Sequence, residues 1–410
     1  MNDGQQISPP WLSNDDLQQL LALLNEGQGE AKVAGGAVRN AVLDEPVHDI
    51  DIATNLVPRD VILRCREAGL KTVPTGIEHG TVTVIVGDAG FEVTTLRHDV
   101  ETDGRRAQIR FGTDWHEDAR RRDFTLNALY LNADGTIFDP LDGIKDVLAR
   151  RVRFIDDPDQ RILEDHLRIL RFFRFFAWYG AFRPDAEGLK ACTRHKARLA
   201  TLSAERVWQE LSKLLAAPDP TRAILWMRQT GVLTQILPES EKWGIDGLAP
   251  YIAAEQGLNW PLDMPLRLMA IIPPHLEKVS ALAERLKLPN KVANRLRHWA
   301  DASIPDPKWK KAHFLRWLYV QNQSAVSDRL RLEIAKAADT QRAHQQQLNW
   351  LEKWKQPVLP VKGADLLALG FEAGPGISKC LGELERQWVE ADFKPTKAAL
   401  LKAVTAEHSP

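Results

Sequence analysis

Residues 34–54 read AGGAVRNAVLDEPVHDIDIAT, and the fold is decided there. Gly35 and Gly36 open the stretch. Having no Cβ atoms, they let the backbone turn sharply and bring its N–H groups close to a polyphosphate, while the helix start that follows adds positive potential. A strand expected over residues 49–53 then carries Asp49 and Asp51. Side chains two apart on a strand share one face, so the two carboxylates point together, and like charges that close are costly without a cation. Mg²⁺, a hard cation that takes oxygen ligands, is the expected remedy. Alone, a glycine pair also suits an ordinary turn and an Asp-x-Asp pair a solvated surface; the combination, with Arg39 three residues after Gly36, is what narrows the reading.

Working outward, a helix is expected over residues 15–25, capped by Ser13 or Asn14, because Leu17, Leu20, Leu21 and Leu24 recur on one face. Short β-branched or alternating runs at 31–34, 81–86 and 91–96 read as strands, and residues 58–68 as a helix. The hairpin read from HGTVTVIVGDAGFEVTTLR places Glu92 where a third acidic group can approach the metals; an exposed strand position is the equal alternative. After Arg153 no strand pattern returns, and amphipathic stretches follow one another with proline-containing joints.

The chain has 410 residues and 44% hydrophobic content, too much for one compact core. Its formal net charge is −1, so a nucleic-acid partner must meet a local basic surface. Residues 285–316 offer one, with nine Lys and Arg against two Asp and interleaved Trp299, Trp309 and Phe314; ordinary solvated helices explain the run equally well. Thirteen tryptophans sit mostly at helical spacing and read as packing, with Trp309 between Lys308 and Lys310 as the one placed to stack on bases. Cys65, Cys192 and Cys380 are widely spaced and form neither a disulfide framework nor a zinc pattern. No basic residue precedes Lys32 and no apolar run reaches signal-peptide or membrane length, so a cytoplasmic setting is expected.

Three further segments carry polar chemistry: RRRDFTLNALY at 120–130, DPLDGIKD at 139–146 and EDHLRILRFFR at 164–174. In the last, Asp165, Arg168, Arg171 and Arg174 recur every third residue, which on one continuous helix puts them along one flank. With the opening stretch, these segments resemble the nucleotidyltransferase superfamily that includes DNA polymerase β. More narrowly they are similar to the class II tRNA nucleotidyltransferases and bacterial poly(A) polymerases, whose motifs GGxVRD, RRDFTINALY, DPxxGxxDL and EDxxRxxR are closely matched here, in order, across residues 31–181. The stretch GIEHGTVTV at 76–84 looks like the CCA-type strand entry.

The resemblance implies a DNA polymerase β-like α+β nucleotidyltransferase head with a small mixed sheet, followed by an all-α region. We expect the head at residues 1–150, a helical neck that recognises the base at 151–217, and a helical body and tail that binds tRNA at 218–410. It implies a template-independent enzyme that adds C, C and A to tRNA from CTP and ATP, with no membrane and no protein partner. Asp49 and Asp51 are the expected Mg²⁺ ligands, with Glu92 as third catalytic carboxylate. Gly35, Gly36 and Arg39 are expected at the triphosphate, Arg122, Asp123 and Asn127 at phosphates or ribose, and Asp165 with Arg168, Arg171 and Arg174 at the base. Cytosine and adenine both present an amino donor beside a ring-nitrogen acceptor, so a fixed carboxylate and guanidinium pair with either, while uracil and guanine present the reverse. The charged residues 99–114 are expected to form a loop that refits the pocket. A poly(A) polymerase, a CC- or A-adding specialist, or a silent RNA-binding relative are the neighbouring readings. One departure stands out: Asn40 occupies the last position of GGxVRD, keeping an acceptor oxygen able to orient Arg39 while losing the charge.

Overall fold

The computed structural model describes residues 5–102, 107–241 and 243–407. They fall into two compact units, Met1–Pro238 and Glu239–Pro410. The expected head and neck both lie in the first unit, which also takes the beginning of the expected body.

The first unit is built on strands β1 (Ala31–Ala34), β2 (Asp51–Thr54), β3 (Lys71–Gly76), β4 (Thr81–Val86), β5 (Ala89–Thr95), β6 (Arg97–Thr102), β7 (Ala107–Phe111), β8 (Tyr130–Leu131) and β9 (Ile137–Phe138). Seven of them form one sheet in the order β3-β4-β5-β2-β1-β8-β9, and β6 pairs with β7 in a separate hairpin. The sheet is mixed because β2 and β5 run parallel while their neighbours pair antiparallel. That parallel register sets Glu92 directly beside Asp51. Alternation decides which faces are buried: Val82, Val84 and Val86 of β4 point inward with Phe91 and Val93 of β5. The expected loop at 99–114 is therefore largely a hairpin followed by a helix, and residues 103–106 lie outside the described residues.

Helix α1 (Asp15–Leu24) begins where Asn14 Oδ1 accepts the Leu17 N–H at 3.0 Å. Its four expected leucines are all fully buried, each contributing roughly 1.5–3 kcal/mol of apolar burial. Helices α2 (Gly36–Val42), α3 (Pro58–Glu67), α4 (Trp115–Arg120) and α5 (Gly143–Leu148) complete the head. The DPLDGIKD segment explains itself locally. Asp139 accepts the N–H groups of Gly143 and Ile144 at 2.8 and 3.0 Å, and a Cβ at Gly143 would run into the carbonyl oxygen of Thr125. Asp146 then takes the Thr125 hydroxyl at 2.6 Å and Arg153 Nε at 2.8 Å. This segment clamps the turn Thr125–Asn127 from behind.

From Pro158 the unit is helical: α6 (Pro158–Glu164), α7 (Arg168–Tyr179), α8 (Ala186–His195), α9 (Ala204–Leu215), α10 (Thr221–Thr230) and α11 (Val232–Ile236). The single helix expected across 164–174 is corrected here. Asp165 is extended, with φ −150° and ψ 106°, and its Oδ1 accepts the Leu167 N–H at 3.0 Å, so the chain turns between α6 and α7. Helix α7 is fixed to the head by aromatic packing, with Phe172 stacked on Phe154 at 5.4 Å and Phe154 against Phe124 at 4.9 Å.

The second unit contains only helices among its described residues, from Leu248–Gly257 to Lys397–Glu407. Two cores hold it, one around Phe314, Leu330 and Leu348 and one around Leu366, Leu384 and Trp388. Trp309 leans on Trp317 at 5.4 Å and on His313 at 4.6 Å, so it is engaged in packing. No described helix is long and apolar enough to cross a membrane.

Candidate active site

All the site residues expected from sequence except Glu92 line one pocket of about 820 Å³ in the first unit. Gly35 makes its entrance turn. Its φ of +68° is a region L side chains rarely adopt, and a Cβ there would meet Arg122 Nη1 at 3.2 Å. The N–H groups in the first turn of α2, which begins at Gly36, have no intrahelical partner, and Gly36 and Ala37 line the pocket.

On one side stand the carboxylates. Asp51 begins β2, while Asp49 lies two residues before it on extended chain, so the strand is shorter than the expected 49–53. Both are exposed and, among the described residues, neither they nor Glu92 make a side-chain hydrogen bond or ion pair. The Asp51 carboxyl is pushed up, first by desolvation against the pocket, then by the charges of Glu92 and Asp49, with Arg122 opposing. Crowded oxygen donors without a protein cation suit a hard divalent ion. Among the described residues no group of three or more His, Cys, Asp or Glu is arranged to hold a metal by itself.

On the other side every carboxylate is occupied by arginine. Asp118, 1% exposed, accepts Arg121 Nη2 at 2.5 Å, Arg122 Nη2 at 3.0 Å and the Tyr130 hydroxyl at 2.7 Å. Burial pushes its carboxyl up, but the two guanidinium groups outweigh burial and hold it down at about 2. Asp123 takes the Phe124 N–H and Asn127 Nδ2 on Oδ1, both at 2.9 Å, and Arg171 Nε on Oδ2 at 2.7 Å. Glu210 on α9 lies 2.7 Å from Arg174 Nε, and Glu164 binds Arg161 at 2.5 Å and Arg168 at 2.6 Å.

These contacts sort the expected residues. Arg122 and Asn127 line the pocket, but their polar groups are largely committed to Asp118 and Asp123, and both Asp123 oxygens are used by the protein. Arg39 likewise donates to Asn127 Oδ1 at 2.5 Å, to Asn40 Oδ1 at 2.9 and 3.1 Å, and to the Tyr179 hydroxyl at 2.6 Å. It is a frame for Asn127. Asp165 and Arg168 are brought to the same wall, yet they do not bond each other: Asp165 receives Arg206 Nη2 at 3.0 and 2.8 Å, and Arg168 goes to Glu164. Asp118, Glu164, Arg206, Glu210 and Tyr179 were missed in the sequence. Only Glu164 sat inside a recognised segment; the others carry no local pattern that names their partners.

Comparison with known proteins bears on the family and the fold. Residues 31–153 match the family described as "Poly A polymerase head domain", and residues 181–243 match "Probable RNA and SrmB- binding site of polymerase A". The chain is 32% identical to the mitochondrial CCA tRNA nucleotidyltransferase 1 of Mus musculus, over 96% of this chain and 90% of that one. It is 31% identical to the CCA-adding enzyme of Levilactobacillus brevis, over 94% and 96% respectively. Its fold superposes on the Bacillus stearothermophilus CCA-adding enzyme in complex with CTP with a TM-score of 0.75 and 27% identity, covering 98% of this chain and 99% of that one. A head with a small mixed sheet, a helical remainder and full-length similarity at this level lead to one conclusion: the chain belongs to the family of class II tRNA nucleotidyltransferases, the CCA-adding enzymes, and bacterial poly(A) polymerases.

Proposed function

We propose that the pocket between the Asp49 and Asp51 carboxylates and the α7 arginines is where this chain, a template-independent RNA nucleotidyltransferase, adds C, C and A to the 3′ end of tRNA from CTP and ATP, releasing pyrophosphate. The observation that carries this reading is the separation of charge in one pocket: unpartnered carboxylates on one side, carboxylate-braced arginines on the other. The triphosphate lies against the Gly35 turn, where the missing Cβ and the first amides of α2 admit it, with Arg122 and Arg39 beside it. Asp49 and Asp51 hold the divalent cations, Mg²⁺ in our reading, and Glu92 adds a third negative charge beside Asp51. Bound there, Mg²⁺ supplies Lewis-acid activation of the terminal 3′-hydroxyl and neutralises charge on the departing pyrophosphate.

Asp165 accepts the exocyclic amino group of cytosine or adenine, and Arg168 donates to the adjacent ring nitrogen, assisted by Arg171 and Arg174. The turn between α6 and α7 helps: Asp165 stands outside the helix at the pocket wall, where a base's amino group shares its oxygens with the Arg206 guanidinium. Residues 1–150 act as catalytic head, 151–217 as base-recognising neck, and 218–410 hold the tRNA. Exposed Lys287, Lys291, Lys308, Lys310 and Lys311 support the last assignment, and such phosphate-led binding weakens as salt rises. All three cysteines are thiols outside any disulfide, two of them buried, which fits a reducing compartment, the cytoplasm.

The test is product length. A tRNA lacking its last three nucleotides is incubated with CTP, with ATP, and with both. We expect two additions, none, and three. A long adenylate tail from ATP alone contradicts the reading in favour of poly(A) synthesis.

A further inference from the structure

Arg39 is 6% exposed and lines the active pocket, yet among the described residues its hydrogen-bond partners are all neutral: Asn40, Asn127 and Tyr179. No described carboxylate lies within ion-pair distance of it. The two acids whose charges reach it are spent elsewhere, Glu45 on Arg150 at 2.8 Å and Asp123 on Arg171 at 2.5 Å. A buried guanidinium in that position is costly, and desolvation pushes its pKa down.

Tyr179 is what faces it. The last residue of α7 places its ring under the guanidinium, with the Arg39 carbon 3.8 Å from the ring centroid, and its hydroxyl accepts Nη2 at 2.6 Å. Phe175, one turn earlier, adds a second ring at 5.5 Å. Desolvated cation–π contact with Tyr is among the stronger non-ionic ways to hold such a charge. The Asn40 amide, by contrast, offers one oxygen and turns its nitrogen to the Pro46 carbonyl at 2.7 Å.

We infer that Tyr179 is a positioning residue of this enzyme, one that seats Arg39 where Asn40 supplies no carboxylate. Through Arg39 it fixes Asn127, which binds Asp123, which in turn binds Arg171 back on α7. The chain of contacts leaves helix α7 at Tyr179 and returns to it at Arg171, so the phosphate side and the base side of the pocket are set by one helix.

This inference rests on the nucleotidyl-transfer reading, and the experiment separates the two. Y179F, Y179L, N40D and the N40D/Y179L double variant are assayed for CMP and AMP addition, with kcat and the nucleotide KM measured separately and thermal melting recorded. Y179F keeps the ring and guards against misfolding. We expect kcat/KM to fall about threefold in Y179F and at least about tenfold in Y179L, mainly through KM for the nucleotide. In the N40D background the same Y179L change costs no more than about twofold, because a carboxylate then seats Arg39. An equal loss in both backgrounds, or no loss in either, overturns the inference while leaving the function intact. A parent protein that adds no nucleotide to tRNA overturns the function itself.

Discussion

The two sides of the active pocket treat their carboxylates in opposite ways. Asp49, Asp51 and Glu92 stand close together without a cationic partner, whereas Asp118, Asp123, Asp165, Glu164 and Glu210 are each bound to at least one arginine. An unpaired acidic group raises its own energy and is relieved by an added cation; a paired one spends its charge on aiming a guanidinium. The first arrangement is built to take something up. The second is built to stay still.

The largest effect expected from this contrast falls on the unpaired side. Asp51→Asn lowers nucleotide addition by about a thousandfold or more, while filter retention of tRNA and the melting temperature are preserved, since no protein contact is lost. A severely unstable variant would place Asp51 among the braced acids instead. Asp118→Asn does the reverse. Removing one member of a buried ion cluster leaves Arg121 and Arg122 facing each other and costs about 3 kcal/mol of stability, read by denaturant titration, with activity lost in step with folding. Next comes Asp165→Asn, whose side chain is partly exposed and whose pair with Arg206 contributes little to stability. It is expected to reduce the preference for CTP over UTP by about tenfold, measured by competition, with the melting temperature within a degree or two of the parent.

The smallest signal is in the pH dependence of stability, and its sign differs between the two sides. Asp118 sits at about 2 in the folded chain, below its unfolded value of roughly 3.9. Its contribution is full above the unfolded value and is lost as pH falls toward 2, so Asp118→Asn flattens the acid limb of a melting curve. Asp51 is raised. Between its unfolded value and its higher folded one the native state holds the extra proton, so stability declines as pH rises through that window and remains lower above it. Asp51→Asn removes that decline. Equal slopes for both variants would erase the distinction.

Much of this was legible in the chain. The glycine pair, the leucine face of α1 and the alternation of β4 are local patterns, and the structure reproduces them. Glu92 was legible only as a candidate, because its closeness to Asp51 depends on a parallel strand pairing that no local pattern reveals. The continuous helix expected at 164–174 failed for a reason visible afterwards: Asp165 bonds its own backbone two residues on, and that competes with helix. Arg206, Glu210 and Tyr179 were invisible because their partners lie 41, 36 and 140 residues away in the chain. Motifs name which side chains meet a ligand, but what holds those side chains still comes from elsewhere in the fold.

The measurement that tests the contrast most directly is Mn²⁺ binding followed by electron paramagnetic resonance in the presence of CTP, on the parent and on Asp51→Asn and Asp123→Asn. Our account predicts that affinity for the ion drops at least about tenfold in Asp51→Asn and is retained in folded Asp123→Asn. Equal affinity in all three, or loss confined to Asp123→Asn, would contradict it.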